Sequence, residues 1–121
     1  MDKEQALQAF WEGFGVKAYD QSTVPDDAAL PRITYDCSVG DFGQSVSISA
    51  SVWDRATTWQ SVIELKNQIS KEIGYGGVTK DYDGGTMWIT KGTPFAMRMT
   101  DPDDSIRRIV INVNIEYISE D

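Results

Sequence analysis

Residues 45–53 read SVSISASVW, with serine at Ser45, Ser47, Ser49 and Ser51 and an apolar residue at every place between. Successive side chains of a strand point to opposite faces, so this alternation predicts a β-strand buried on one side only. Val46, Ile48, Ala50 and Val52 supply the buried face. The other face is unusual. Solvated strand faces carry threonine, lysine or glutamate, whereas serine has little β-propensity and little bulk. A face kept this small suits the close approach of another backbone; the plainer reading is a solvated surface.

The neighbouring sequence extends the strand into a sheet. RITYDCSVG (32–40) places Ile33, Tyr35, Cys37 and Val39 on one face, and the turn GDFG (40–43) leads directly into the serine strand, predicting an antiparallel hairpin. IRRIVINVNIEYI (106–118) is the longest strand, with Ile109, Ile111, Val113, Ile115 and Tyr117 on its apolar face and Arg108, Val110, Asn112, Asn114 and Glu116 opposite. Residues 75–92 predict a second hairpin turning near Asp83-Gly84-Gly85. Two stretches carry helical spacing. In 2–14, Ala6, Leu7, Phe10, Trp11 and Phe14 form one stripe, with Asp2 as N-cap and Gly13 and Gly15 as the stop. In 57–73 the stripe is Trp59, Val62, Ile63, Ile69 and Ile73, capped by Thr57 or Thr58 and ended by Gly74. Val16 to Tyr19 is a short extended piece, 20–31 a surface loop, and 93–105 an irregular segment rich in methionine and aspartate. This order predicts a single α+β domain over residues 1–121. It is a mainly antiparallel sheet with two helices packed on one face, and the serine face has no helix left to cover it.

Composition bounds the function. There are 19 acidic and 11 basic residues, a net charge of −8, which argues against tight grip on nucleic acid because such grip needs cations for the phosphates. The chain has no histidine, so serine or cysteine triads with a histidine base and histidine-ligated zinc are ruled out. One cysteine, Cys37, rules out an internal disulfide and suits a reducing compartment. No run approaches the ~18 apolar residues of a membrane span, and Met1-Asp2-Lys3-Glu4 is no signal peptide. These features predict a protein made and kept inside a cell, with no membrane partner.

Carboxylates are the one hint of chemistry. Asp81 and Asp83 precede a double glycine, and Asp101, Asp103 and Asp104 surround Pro102. Carboxylate oxygens suit Mg²⁺ or Ca²⁺, but the stretch from Asp81 to Gly85 lacks the ligand spacing of a calcium loop. Aspartates also favour turns simply by bonding their own backbone. Glu64, Glu72 and Glu116 have no spacing that sets them on opposite sides of a substrate, and read as solvated positions. The glycines near Lys80 and Lys91 do not have phosphate-loop spacing. The expectation is no enzyme, no cofactor and no metal. Trp53, Trp59, Trp88, Phe95, Met97 and Met99 remain to be housed. Trp59 reads as core, whereas Met97 and Met99 are divided between core filling and a contact surface, where methionine and aromatics are frequent.

The stretches LPRITYDCSVGDFGQSVSISASVWDR, GYGG, DGGTMWITKGTPF and RRIVINVNIEYI are together similar to small neck and tail-completion proteins of long-tailed bacteriophages, and resemble tail terminator proteins in particular. The resemblance covers roughly residues 30–118 and rests on the order and spacing of these pieces. It implies a structural virion subunit of the tail or neck, made in the host bacterial cytoplasm. Such subunits form a homo-oligomeric ring, usually of six copies, at the head-proximal end of the tail tube. The ring stops tube growth and meets both the tail tube protein and the head connector, and DNA passes through it without specific binding. The family carries no catalytic residues to transfer. On this reading the assembly surface is expected to include Ser45, Ser47, Ser49, Ser51, Phe95, Met97 and Met99, with Arg55 and Arg98 as interface cations. The rival readings are a head-completion or connector protein, a tail tube subunit, a free-standing cytoplasmic binding module and, from another class, an aspartate-based metal-dependent hydrolase.

Overall fold

A computed structural model describes residues 1–41 and 43–119. Phe42, in the expected turn at 40–43, lies outside the described residues. The chain runs α1 (Lys3–Glu12), β1 (Lys17–Asp20), β2 (Arg32–Tyr35), β3 (Ser45–Arg55), α2 (Gln60–Ile73), β4 (Val78–Tyr82), β5 (Gly85–Met99) and β6 (Ile106–Ser119). All six strands join one sheet in the order β1-β2-β3-β6-β5-β4, antiparallel except for the parallel β1–β2 pair. This is an α+β architecture.

Local chemistry explains the helices. Asp2 caps α1 through a capping box: its Oδ1 accepts from the Gln5 N–H at 2.8 Å, and Gln5 Oε1 accepts from the Asp2 N–H at 3.0 Å. The helix buries Ala6, Leu7, Phe10 and Trp11, while Phe14 lies past its end, edge-on to Phe10. The second helix begins later than its periodicity predicts. Its N-cap is Trp59, whose side chain makes no capping bond, so neither Thr57 nor Thr58 holds that position. Trp59 is only half-buried, with the guanidinium groups of Arg98 and Arg107 over its ring at 4.8 and 5.6 Å. The indole thus packs against the core with one side and meets cations with another. Gly74 ends α2 with a positive φ (+70°), its N–H donating to the Ser70 carbonyl.

Register decides the faces. β3 pairs with β6 from Ser45↔Glu116 to Arg55↔Ile106, so Val46, Ile48, Ala50 and Val52 share a face with Ile115, Val113, Ile111 and Ile109. Ile33 and Tyr35 of β2 and Met87 and Ile89 of β5 join them. Leu7, Trp11, Ile33, Val52, Val62, Ile69, Met87, Ile89, Ile111, Ile115 and Tyr117 are at most 1% exposed, forming one core with α1 and α2. Helix contacts run to this face: Trp11 stacks on Tyr35, Lys3 lies over the rings of Tyr82 and Tyr117, and Glu72 of α2 pairs with Lys80.

Two strands differ from their sequence patterns. β2 stops at Tyr35 instead of running to residue 40. The chain then dips under the apolar face, where Gly40 is buried against Val46 and Tyr117 and its carbonyl accepts from Lys3 Nζ at 2.8 Å. The second difference is larger. Residues 93–99, read as irregular, continue β5. Lys91 pairs with Val113 and Ala96 with Ile111, so Gly92, Thr93, Pro94 and Phe95 together oppose the single residue Asn112. That bulge breaks the two-residue alternation by which the strand would have been recognised. Asn112 Nδ2 fastens it by donating to the Pro94 carbonyl at 2.9 Å. Among the described residues no helix is long and apolar enough to cross a membrane.

Candidate assembly surface

The second face of the sheet is built in rows by the same register. Arg32, Trp53, Arg108 and Met99 form one row, and Thr34, Ser51, Val110 and Met97 the next. Ser49 then faces Asn112; Ser47, Asn114 and Thr90 form a row, as do Ser45, Glu116, Trp88 and Thr79. Ser45, Ser47 and Ser49 are exposed, but Ser51 is buried at 5%. Its hydroxyl accepts from Arg108 Nε at 3.0 Å, so it supports the face without being presented on it.

The exposed serines are already engaged sideways. Ser47 and Ser49 donate their hydroxyl protons to Oδ1 of Asn114 and Asn112, each at 2.7 Å. These cross-strand bonds hold short polar side chains flat along β3 and β6, which accounts for serine where a longer residue would stand proud of the sheet.

At one end of this face is a cluster of different character. Trp53 lies beneath two guanidinium groups, Arg108 at 4.5 Å and Arg32 at 5.7 Å from its ring centre, and its Nε1 donates to Thr34 Oγ1 at 2.9 Å. Beside it Met97 and Met99 are 42% and 39% exposed. Tryptophan, arginine and methionine are the residue types enriched where proteins touch. Trp88 and Ile118 leave comparable apolar area exposed at the other end. Trp88 is pinned by its Nε1 donating to the Gly76 carbonyl at 3.0 Å.

The residues singled out from sequence therefore do not form one cluster. Ser45, Ser47, Ser49, Met97 and Met99 share the open face. Phe95 is half-buried in the bulge, packed against the core with the Lys91 ammonium over its ring. Arg98 pairs with Ile109, and so belongs to the opposite face, over Trp59. Arg55 is tied to its own chain by Asp103 at 3.2 Å and by the Ser105 hydroxyl. Arg32 and Ile118 were not singled out, although alternation with Ile33 and Tyr117 already sets them on this side of their strands; the long-range register adds which neighbours they meet. Trp53 and Trp88 carried the signal of large aromatics without a helical or core role.

The turn carboxylates bond locally. Asp101 Oδ1 accepts from the Asp103 N–H and Asp103 Oδ1 from the Ser105 N–H, each at 2.9 Å. The Ser105 hydroxyl and N–H, followed by Arg55, hold the Asp103 carboxyl below the usual carboxylate range. Asp81 accepts from the Thr86 hydroxyl. Among the described residues no three acidic or cysteine side chains gather as a metal site. Burial, aided by Asp20 and Glu4, pushes the Cys37 thiol up, which disfavours the nucleophilic thiolate. Against known protein families and curated proteins, the chain matches no family model and no curated protein.

Proposed function

We propose that the chain is a structural subunit of a phage tail, the tail terminator, which works by assembling into a ring at the head-proximal end of the tail tube. The reading rests on the sequence resemblance over residues 30–118. The observation that carries it is the open sheet face, where flat serine–asparagine rows end in a cluster of half-buried Trp53 and exposed Met97 and Met99, flanked by arginines. Assembly of this kind needs no reacting group, and it draws on contact area and shape. A heterologous contact repeated about an axis closes into a ring, with one side of each subunit meeting the other side of the next. In that ring the tail tube protein and the head connector are the axial partners, and the acidic chain lets DNA slide past without retention.

Negative-stain electron microscopy of the concentrated protein, alone and with its tail tube protein, tests this. Closed rings of uniform diameter with an open centre, seated at one end of each tube, are expected. Dispersed single subunits that leave tube length unchanged would overturn it.

A further inference from the structure

Inside the edge strands β1 and β4, the strands β3 and β5 each leave part of one side without a paired strand among the described residues, and these two stretches are complementary. β4 pairs with β5 only over Gly85–Ile89, so beyond Ile89 the outer edge of β5 has no strand beside it among the described residues. β2 pairs with β3 only over Ala50–Trp53, extended by the Asp36 N–H donating to the Ser49 carbonyl, so the outer edge of β3 from Ser45 to Ile48 is likewise uncovered. The two gaps lie at diagonally opposite corners of the three central strands.

Hydrogen-bond parity shows which backbone groups point out. The Ser49 carbonyl faces β2, and successive residues of a strand alternate sides, so Ser45 and Ser47 direct their N–H and C=O outward. The same alternation carried through β6 turns Met97 and Met99 toward β6 and leaves the N–H and C=O of Lys91, Ala96 and Arg98 facing outward. We propose that the free edge of β5 at Ala96–Arg98 pairs with the free edge of β3 at Val46–Ile48 of a second copy, making a sheet continuous between subunits. The pairing rests on the ring reading above.

Several features fit this occupant. Cyclic symmetry preserves both strand direction and sheet face between neighbours, and β3 and β5 of one subunit both run antiparallel to β6, so the new pair is parallel. In a parallel pair a residue that points its backbone groups across is opposed by one that does not, its bonds going to the two residues flanking that partner. Ser47 of the neighbour opposite Met97 meets this requirement: its N–H donates to the Ala96 carbonyl, and its carbonyl accepts from the Arg98 N–H. Both side chains then lie on the serine face, and the pleat runs on unbroken. β5 ends at Met99, opposite Ser49, which is where Asp36 already occupies the edge of β3. The paired stretch therefore ends with Arg98 opposite Ile48, one residue before the end of β5.

The stagger also closes. Within one subunit Ser47 is level with Asn114 and Thr90, whereas Met97 is level with Val110 and Ser51. Each subunit thus advances from the level of Ser47 to that of Ser51, four residues or about 13 Å at ~3.3 Å each. It does so over three strand spacings of ~4.8 Å, about 14 Å. Those lengths correspond to a strand tilt of about 43°, within the ~35–45° at which sheets close on themselves.

Cysteine pairing tests it. In a Cys37→Ser background, S47C and M97C are introduced together and separately, and joined by oxidation or a short bis-maleimide. Both positions are exposed, so folding is undisturbed, as circular dichroism would verify. The double variant should give a covalent ladder reaching the ring, the two single variants mixed should give dimers and nothing larger, and each single variant alone should remain uncrosslinked. Light scattering on the same samples separates the two claims. An oligomer that forms without the ladder overturns the edge pairing and leaves the ring reading standing, whereas a monomer at every concentration overturns both.

Discussion

Gly77 holds a φ of +88°, and a Cβ added there would stand 2.5 Å from Trp88 Nε1 and 2.8 Å from the Ile89 carbonyl oxygen. Both the backbone conformation and the space exclude a side chain. Gly77→Ala should therefore cost roughly 2–3 kcal/mol, read as a lowered urea midpoint with unchanged slope. A midpoint within error of the parent would contradict the packing of Trp88 against this turn. Tyr35 and Tyr117, 2% and 0% exposed, have phenols pushed up to about 12, chiefly by burial. A pKa raised in the folded state means that stability is fully present below the unfolded value of ~10 and is lost as pH climbs from there through the folded value. Ultraviolet titration of the 5 tyrosines should show two that ionise only as the protein unfolds in that alkaline window. Five ordinary titrations without unfolding would show these two rings to be accessible.

At the scale of elements, β3 and β6 were legible as strands because one face is apolar at every second position, whereas their pairing with each other is long-range and was not. The start of α1 was legible in Asp2, whose cap needs only local sequence. The continuation of β5 was not, because Gly92 and Pro94 sit in a bulge that sets four residues against Asn112 and destroys the alternation. Trp59 does pack against the core as its spacing indicates, but it is only half-buried, and the Arg98 and Arg107 guanidinium groups over its ring are partners that no local pattern reveals. The serines were correctly placed on a strand's polar side, yet that Ser51 is buried while Ser49 is open depends on Arg108 arriving from β6. Hydrogen exchange reports on β5 directly. In a dilute monomer the amides of Met97 and Met99 should be protected and those of Ala96 and Arg98 should exchange rapidly, the latter slowing on assembly. Uniformly fast exchange over 93–99 would return the segment to an irregular loop. Ser49→Lys should leave the melting temperature nearly unchanged and weaken oligomer formation, since a lysine on an open face stays hydrated but must be desolvated within a packed contact. Unimpaired assembly of this variant would mean that this part of the serine face stays in solvent.

The molecule as a whole carries a charge of −8, and its intrachain ion pairs Met1–Asp83, Arg55–Asp103 and Lys80–Glu72 are exposed. Pairs of that kind contribute about 0–1 kcal/mol each, so neither the fold nor its contacts depend on them. When copies gather around a ring their like charges accumulate, whereas backbone pairing and apolar contact are insensitive to screening. Salt shortens the reach of that repulsion, to ~8 Å at physiological ionic strength. With Arg55 engaged by Asp103 and Arg98 stacked over Trp59, two cations otherwise suited to cross-subunit pairs already have partners in their own chain. Light scattering across a range of NaCl, at fixed protein concentration, is thus the most direct test of a ring held by backbone and apolar contact. The average mass should rise with salt toward a single closed oligomer. A monomer under all conditions, or an oligomer that dissociates steadily as salt increases, would contradict the account.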